Sequence, residues 1–430
     1  MFQRTVMAAL LSVLLAQGIL AQIDQARLEV NLRTLAADDM NGRAAGTADA
    51  RKAAAFIAGC YKDAGLLPYQ GSDSLLQQFE VTNIHQEGQT LVLNGVAVDP
   101  ASFAIISNQL KASVTDPSAL KIFAVGETDK LRPVMSEARR YVGPKLLLLH
   151  TAHTEQVNSF MSYLRRPIER EQGEPDSMTI IVLSDNPEVT SLEARADNRE
   201  ELVKMANVIG VLPGKERPEE IVLFSAHYDH IGNLAAVDGD TIANGADDDA
   251  SGVVALIELA SYFREKGNAR TLIFAAFTAE ELGGYGSRHM CTTIDPKTIV
   301  AGVNIEMIGK PTKWGSEHAF ITGYEKSTLP ALMAASSGEP PRLHPDPYPE
   351  QQLFLRSDNA SFARLGVPAH TVSAGKINED PHYHKVSDEV DTLDLKHLTT
   401  VVGLIAKGVT KIVSGEETPT RLDPESVGRR

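Results

Sequence analysis

The sequence predicts an α/β protein: a three-layer domain with a mainly parallel central sheet flanked by helices, plus an inserted smaller α/β segment. Three observations carry this. Short apolar runs at 208–212, 221–226, 271–277 and 299–305, and again at Ala369–Ser373, have the length and continuity of buried strands. An amphipathic helix, Ser251–Lys266, is expected between the second and third runs, and a long helix over 393–412. Strands alternating with helices are the order in which a parallel sheet is built.

The elements follow in chain order. Residues 1–21 have the form of a signal peptide: Arg4, an apolar stretch over 7–15, then small residues at Ala16, Gly18 and Ala21. The stretch is too short to span a bilayer, and export to the periplasm or outside the cell is the expectation. Residues 22–74 form an N-terminal helical part of the main domain. Leu28, Leu32 and Leu35 recur at helical spacing, as do Ala53, Phe56, Ile57, Cys60 and Tyr61. A turn-rich break, DDMNGRAAGT, separates the two helices, and Gly65 closes the second. Residues 75–205 read as an insertion of uncertain fold, with strands at 79–82, 91–98, 145–150 and 178–183 and helices at 135–141 and 156–164. His150, His153 and Glu155 lie close together there and read as a surface cluster. Residues 206–413 are the main part of the domain. The polar stretch 414–430, with two prolines, is expected to be a disordered tail.

The chain has 430 residues and a formal net charge of −15. That charge argues against nucleic acid as a partner, because phosphate binding needs a basic face, and against an anionic membrane surface. No run beyond the N-terminal stretch suits a membrane span. Two cysteines, Cys60 and Cys291, cannot make a disulfide framework, and they are too few for a cysteine metal site. Any metal must sit on His, Asp and Glu.

The chemistry concentrates in IVLFSAHYDHIGNLAAVDGDTIANGADDDASG, residues 221–252. Asp247, Asp248 and Asp249 are consecutive carboxylates that repel one another, so a positive partner is required. A divalent metal is the simplest, and imidazole with carboxylate suits zinc. A solvated acidic loop at a helix N-terminus is the plainer reading of the same residues. Further candidates fall where strands end. His227 follows the run at 221–226, Glu280 and Glu281 follow 271–277, and Glu306 ends 299–305. Ligands in open α/β sheets bind at the carboxyl ends of strands. His384 stands in a loop before the last helix.

The ordered set H-x-D, G-A-D-D-D-A-S-G, A-E-E-L-G, N-I-E-M-I-G and Y-H-K-x-S-D resembles the M28 family of co-catalytic zinc peptidases, mostly exported aminopeptidases. The likeness covers residues 207–412, and the helices near 28–68 look like that family's N-terminal portion. It implies two zinc ions. His227 would bind one, with Asp229 orienting it from behind. Asp248 would bridge both, while Asp247 and Asp249 face the backbone or solvent. Glu281 and His384 would bind the second ion, Glu306 would complete the first, and Glu280 would be the general base. Glu306 stands where many relatives have aspartate, and Lys385 where threonine is usual. His382 is a rival to His384. Ser357 and Asp358 resemble the family's S-D-x-x-x-F element, although a helix cap explains Asp358 equally well. His230, His344 and His370 read as ordinary histidines.

The implied function is an exported di-zinc aminopeptidase acting on peptides, of unknown oligomeric state. The alternatives are a carboxypeptidase or dipeptidase of the same fold, and a catalytically inactive binding protein. Glutaminyl cyclase, a single-zinc relative, is disfavoured by the full five-ligand set. A calcium-stabilised structural protein is disfavoured by two histidine ligands, because calcium prefers oxygen.

Overall fold

The computed structural model describes residues 22–158, 168–170 and 175–428. The expected signal peptide and most of the expected helix at 156–164 lie outside the described residues. The described residues form two compact units, one from residues 22–79 and 205–428, the other from those within 80–204.

The first unit is built on a sheet whose strands are β1 (Leu192–Leu212, entering this unit at Met205), β2 (Arg217–His227), β3 (Arg270–Phe277), β4 (Ile299–Glu306), β5 (Ala319–Ile321), β6 (Leu343–Pro345) and β7 (Ala369–Ser373). Their order is β6-β5-β7-β4-β2-β3-β1. The middle four, β7, β4, β2 and β3, are parallel, and β1 joins β3 antiparallel. Because side chains alternate along a strand, β2 sends Val222, Phe224 and Ala226 to one face and Leu223 to the other, while β3 sends Leu272, Phe274 and Ala276 opposite to Ile273, Ala275 and Phe277. Both faces are therefore covered, which gives three layers.

One face carries α1 (Gln25–Leu35), α2 (Ala48–Asp63), α3 (Ser251–Lys266), α5 (Leu329–Ser337) and α7 (Leu395–Gly408). The other carries α4 (Tyr285–Thr293) and α6 (Asn359–Ala363), through Met290 and Phe362. At the end of α2, Gly65 has φ +73°; Leu66 N–H reaches Tyr61 O and Gly65 N–H reaches Lys62 O, the paired bonds that close a helix on a left-handed glycine. Helix α3 departs from expectation. It is buried on every side over residues 251–260, because α1, α2 and α7 pack around it. Its one interior carboxylate, Glu258, is matched by a two-pronged contact from Arg27 at 2.7 Å on each oxygen.

The tail also departs from expectation. Residues 414–428 are ordered, and Leu422 and Val427 are buried against Phe354 and Ala363. Arg421 donates to Ile299 O at 2.7 Å, and Asp423 caps a short helix, Pro424–Val427. Two apolar side chains in an otherwise polar stretch suffice to anchor it.

The second unit has a four-stranded sheet in the order Phe103–Ser107, Met178–Leu183, Lys145–Leu149, Lys121–Val125, with the helix Leu131–Arg140 on one face. His150 and His153 are used locally. The first accepts Ala152 N–H, and the second is buried against Gly126 O at 2.9 Å.

Among the described residues, no helix is long and apolar enough to cross a membrane. Cys60 and Cys291 are both free thiols.

Candidate metal centre

Parallel register brings the strand ends together. Ser225 of β2 pairs with Asn304 of β4, so two residues further His227 and Glu306 leave neighbouring strands on the same side. His227 pairs with Phe277, the last residue of β3, and the turn that follows delivers Glu280 and Glu281. The loop before α3 supplies Asp248, and His384 enters from the loop before α7.

The carboxylate of Asp248 faces two donor sets. Its Oδ1 lies 3.2 Å from His227 Nε2, and its Oδ2 lies 3.2 Å from His384 Nε2. His227, Asp248 and Glu306 form one group of converging ligand atoms; His230, Asp248 and Glu281 form another. His384 Nε2 is also 3.3 Å from Glu281 Oε2. His230 belongs to the site, which the sequence reading missed. Its Nδ1 lies 2.9 Å from Glu281 Oε1. The available signal was its place one residue after Asp229 in the same strand-end loop. His382 turns away, to Ser387 Oγ at 3.0 Å.

Asp229 does not act as expected. His227 Nδ1 bonds the main-chain oxygen of Asp229 at 3.0 Å, while the Asp229 carboxylate is 3.8 Å from that nitrogen. The carboxylate instead accepts the N–H groups of Glu280 at 3.1 Å and Glu281 at 3.4 Å. It holds the turn that carries both glutamates.

The three consecutive aspartates are all buried, so the solvated-loop reading fails. Asp249 accepts N–H bonds from His227, Gly252 and Met307, and Asp247 accepts one from Gly309. Two cations offset them. Lys310 Nζ lies 2.7 Å from Asp380, 3.4 Å from Asp388 and 3.6 Å from Asp247. Asp388 in turn accepts the N–H groups of Asp247 and Asp248 at 3.0 and 3.1 Å.

The second cation, Arg43, is wholly buried and comes from the turn-rich break between α1 and α2. It donates to the carbonyls of Tyr228, Leu35, Asn244 and Gly245 at 2.6–3.0 Å. Burial lowers its guanidinium to about 10, so it stays charged at neutral pH. Its turn needs Gly42, at φ +68°: a Cβ there would lie 2.6 Å from Ala243 O and 2.7 Å from Gly232 O.

These two cations do not suffice. Burial raises Asp229 to about 7. Burial, with Asp388 beside it, raises Asp247 to about 7, and burial, with Asp248 beside it, does the same to Glu306. Glu280 is raised too, by burial and then by Glu306, Asp358 and Glu281. Burial opposes ionisation of Asp248, yet His227 and His384 hold its carboxyl below the ordinary range. Asp358, buried and without a capping bond, has both oxygens unpartnered, so the cap reading of this residue fails. Carboxylates crowded this way call for further positive charge. The donors fit zinc: imidazole and carboxylate converge, and the buried atoms His227 Nε2 and Glu306 Oε2 have no hydrogen-bond partner.

A family model described as Peptidase family M28 matches residues 207–409. A probable zinc metalloprotease of Pyricularia oryzae is 39% identical over 113 residues, covering 26% of this chain and 22% of that protein. A probable leucine aminopeptidase of Trichophyton verrucosum is 28% identical over 202 residues, covering 45% and 53%. The matches to these curated relatives thus span about a fifth to a half of their length. Among solved structures, an aminopeptidase from Aneurinibacillus sp. strain AM-1 superposes with a TM-score of 0.58 at 17% identity, covering 92% of this chain and 95% of that one. A zinc aminopeptidase from Bacillus subtilis gives 0.57 at 17% identity, covering 92% and 97%. At such identity the likeness concerns the fold.

Proposed function

We propose, from the match of the Peptidase family M28 model to residues 207–409 and the geometry of the site, that the chain is an exported di-zinc aminopeptidase that hydrolyses N-terminal residues from peptides. The observation that carries this reading is Asp248, whose two oxygens face His227 and His384 separately. His227, Asp248 and Glu306 would hold one ion; Asp248, Glu281 and His384 would hold the other. His230 occupies Glu281 Oε1 at 2.9 Å, which leaves Oε2 and His384 Nε2 for the metal. His230 is therefore a positioning residue. Zinc bound by these residues would supply Lewis acidity for the scissile carbonyl and for a water near neutral pH.

Glu280 lines the same cavity as these ligands. Its carboxyl, raised by burial and neighbouring acids, suits a group that takes a proton from water and passes it to the leaving amine. Asp229 keeps this base in place by accepting its N–H. Acidic groups at the edge of the site would receive the free amine of the substrate.

The test measures bound metal and N-terminal residue release together. The expected result is two zinc ions per chain and cleavage of aminoacyl substrates, with Glu280→Gln keeping its metal and losing turnover by about 10²–10⁴-fold. Zinc binding with release of C-terminal residues or dipeptides alone would leave the metal site and sink the substrate class. Absence of any transition metal would make a binding protein the better reading. Export rests on the N-terminal stretch and is checked separately by sequencing the N-terminus of protein recovered outside the cytoplasm. A start shortly after Gly18 or Ala21 supports it, and an intact Met1 on protein retained in the cytoplasm refutes it.

A further inference from the structure

The cavity beside Asp248, Glu280, Glu281, Glu306 and His384 has walls that the hydrolytic step does not explain. Leu353, Ile377 and Tyr383 are apolar or aromatic, and Arg356 stands among them. Arg356 follows the turn Leu353–Leu355, where its N–H bonds Leu353 O. Its side chain is exposed, and among the described residues its guanidinium has no ion pair and no hydrogen bond.

Four other arginines of this unit are engaged. Arg27 grips Glu258, Arg43 grips four carbonyls, Arg270 grips Glu220, and Arg421 grips Ile299 O. Arg356 is placed differently, on a cavity whose other charged walls are acids and one imidazole.

Nothing in the chemistry of amine recognition or water activation uses a guanidinium at the rim. A free planar fork of donors does have a preferred ligand, the carboxylate, which it binds through two parallel bonds. A carboxylate would otherwise be repelled here by Glu280, Glu281 and Glu306.

We propose that Arg356 is a carboxylate subsite, which makes the preferred substrates peptides that present a carboxylate within one residue of the scissile bond. This rests on the aminopeptidase reading and narrows its substrate class. Two sources carry that chemistry: the C-terminal carboxylate of a dipeptide, and an acidic side chain at the cleaved residue.

The experiment compares kcat and KM for Leu-Leu, Leu-Leu amide, and the p-nitroanilides of leucine, glutamine and glutamate, using the zinc-loaded enzyme and its Arg356→Gln and Arg356→Lys variants. A charge-assisted pair predicts a preference of about ten- to a hundredfold, expressed mainly in KM. If Leu-Leu is preferred over its amide and Arg356→Gln brings that ratio towards one, the subsite holds a C-terminal carboxylate. If glutamyl is preferred over glutaminyl p-nitroanilide and that ratio collapses instead, it holds an acidic side chain. Arg356→Lys should keep part of either preference, because it keeps the charge and loses the fork. Equal treatment of acid and amide together with equal treatment of glutamate and glutamine overturns the proposal. So does a preference that survives Arg356→Gln. Cleavage of leucine p-nitroanilide without any preference refutes Arg356 alone, whereas failure to cleave every one of these substrates refutes the aminopeptidase reading and this subsite with it.

Discussion

Replacing Arg43 with methionine keeps most of the side-chain volume and removes a buried guanidinium that ties three parts of the chain together. Its four acceptors are Leu35 O at the end of α1, Tyr228 O between His227 and Asp229, and the oxygens of Asn244 and Gly245 just before the aspartate loop. Gly245 O also receives Ala250 N–H, so it is the least affected. The other three lose a charge-assisted donor in residues that are buried. At about 1–3 kcal/mol for each buried acceptor left unsatisfied, the loss is roughly 3–9 kcal/mol, a large share of ordinary domain stability. The charge itself also stands near Asp229, Asp248, Asp388 and Asp249.

Because the ties hold the loops that carry His227 and Asp248, zinc affinity should fall by about 10–100-fold, the usual effect of removing a group that orients metal ligands. The assay is urea unfolding of chelator-treated protein, followed by competition for zinc with a chromophoric chelator. Arg43→Lys separates the two contributions. It restores charge, and a lysine cannot reach all four carbonyls in the guanidinium's geometry. If Arg43→Met unfolds within about 1 kcal/mol of wild type and holds zinc equally well, the buried guanidinium organises nothing and the reasoning is wrong.

Chelated protein should be less stable at pH 8 than at pH 5. Asp229 is raised from 3.8 to about 7 by burial, so the folded chain keeps a proton that the unfolded chain has already lost. That contribution is complete below pH 4 and is lost as pH rises through 7, at about 4 kcal/mol for this residue. Asp247 and Glu306, each raised to about 7, act in the same sense. Melting temperature against pH, without and with zinc, reads this. A chelated protein that gains stability between pH 5 and 8 would contradict it. His384→Ala should release one zinc ion per chain, whereas His230→Ala should weaken zinc binding without removing a site; metal analysis that reverses the two outcomes would exchange their roles. Deleting residues 419–430 removes Leu422 and Val427 from their contacts with Phe354 and Ala363. It should cost about 2–5 kcal/mol in urea unfolding, and an unchanged midpoint would mean that the tail anchors nothing.

The main architecture was legible because it rests on signals confined to single segments. Continuous apolar runs mark β2, β3, β4 and β7 as buried on both faces, and the residues just past their ends are the ones an α/β sheet offers to a ligand. His227, Glu280, Glu281 and Glu306 could thus be placed near one another from their positions alone. The misreadings have a common origin in burial that pattern alone does not reveal. Helix α3 reads as amphipathic from the spacing of its apolar residues, and only α1 shows that Arg27 makes the burial of Glu258 tolerable. The tail looked disordered because its two anchoring residues are sparse.

What only the tertiary structure decided is the set of partners that lie far away in sequence. Arg43 stands 185 residues from Tyr228, and Asp388 stands 140 from the Asp248 N–H that it receives. Asp229 turns out to hold the glutamate turn 51 residues on, leaving His227 to a main-chain oxygen. His230 joins Glu281 across the same distance. A sequence states that three adjacent aspartates need positive charge. It does not state where that charge comes from, because electrostatic partners carry no periodic signature. They are matched by distance and burial in the folded chain, and those exist only once the sheet has brought its strand ends together.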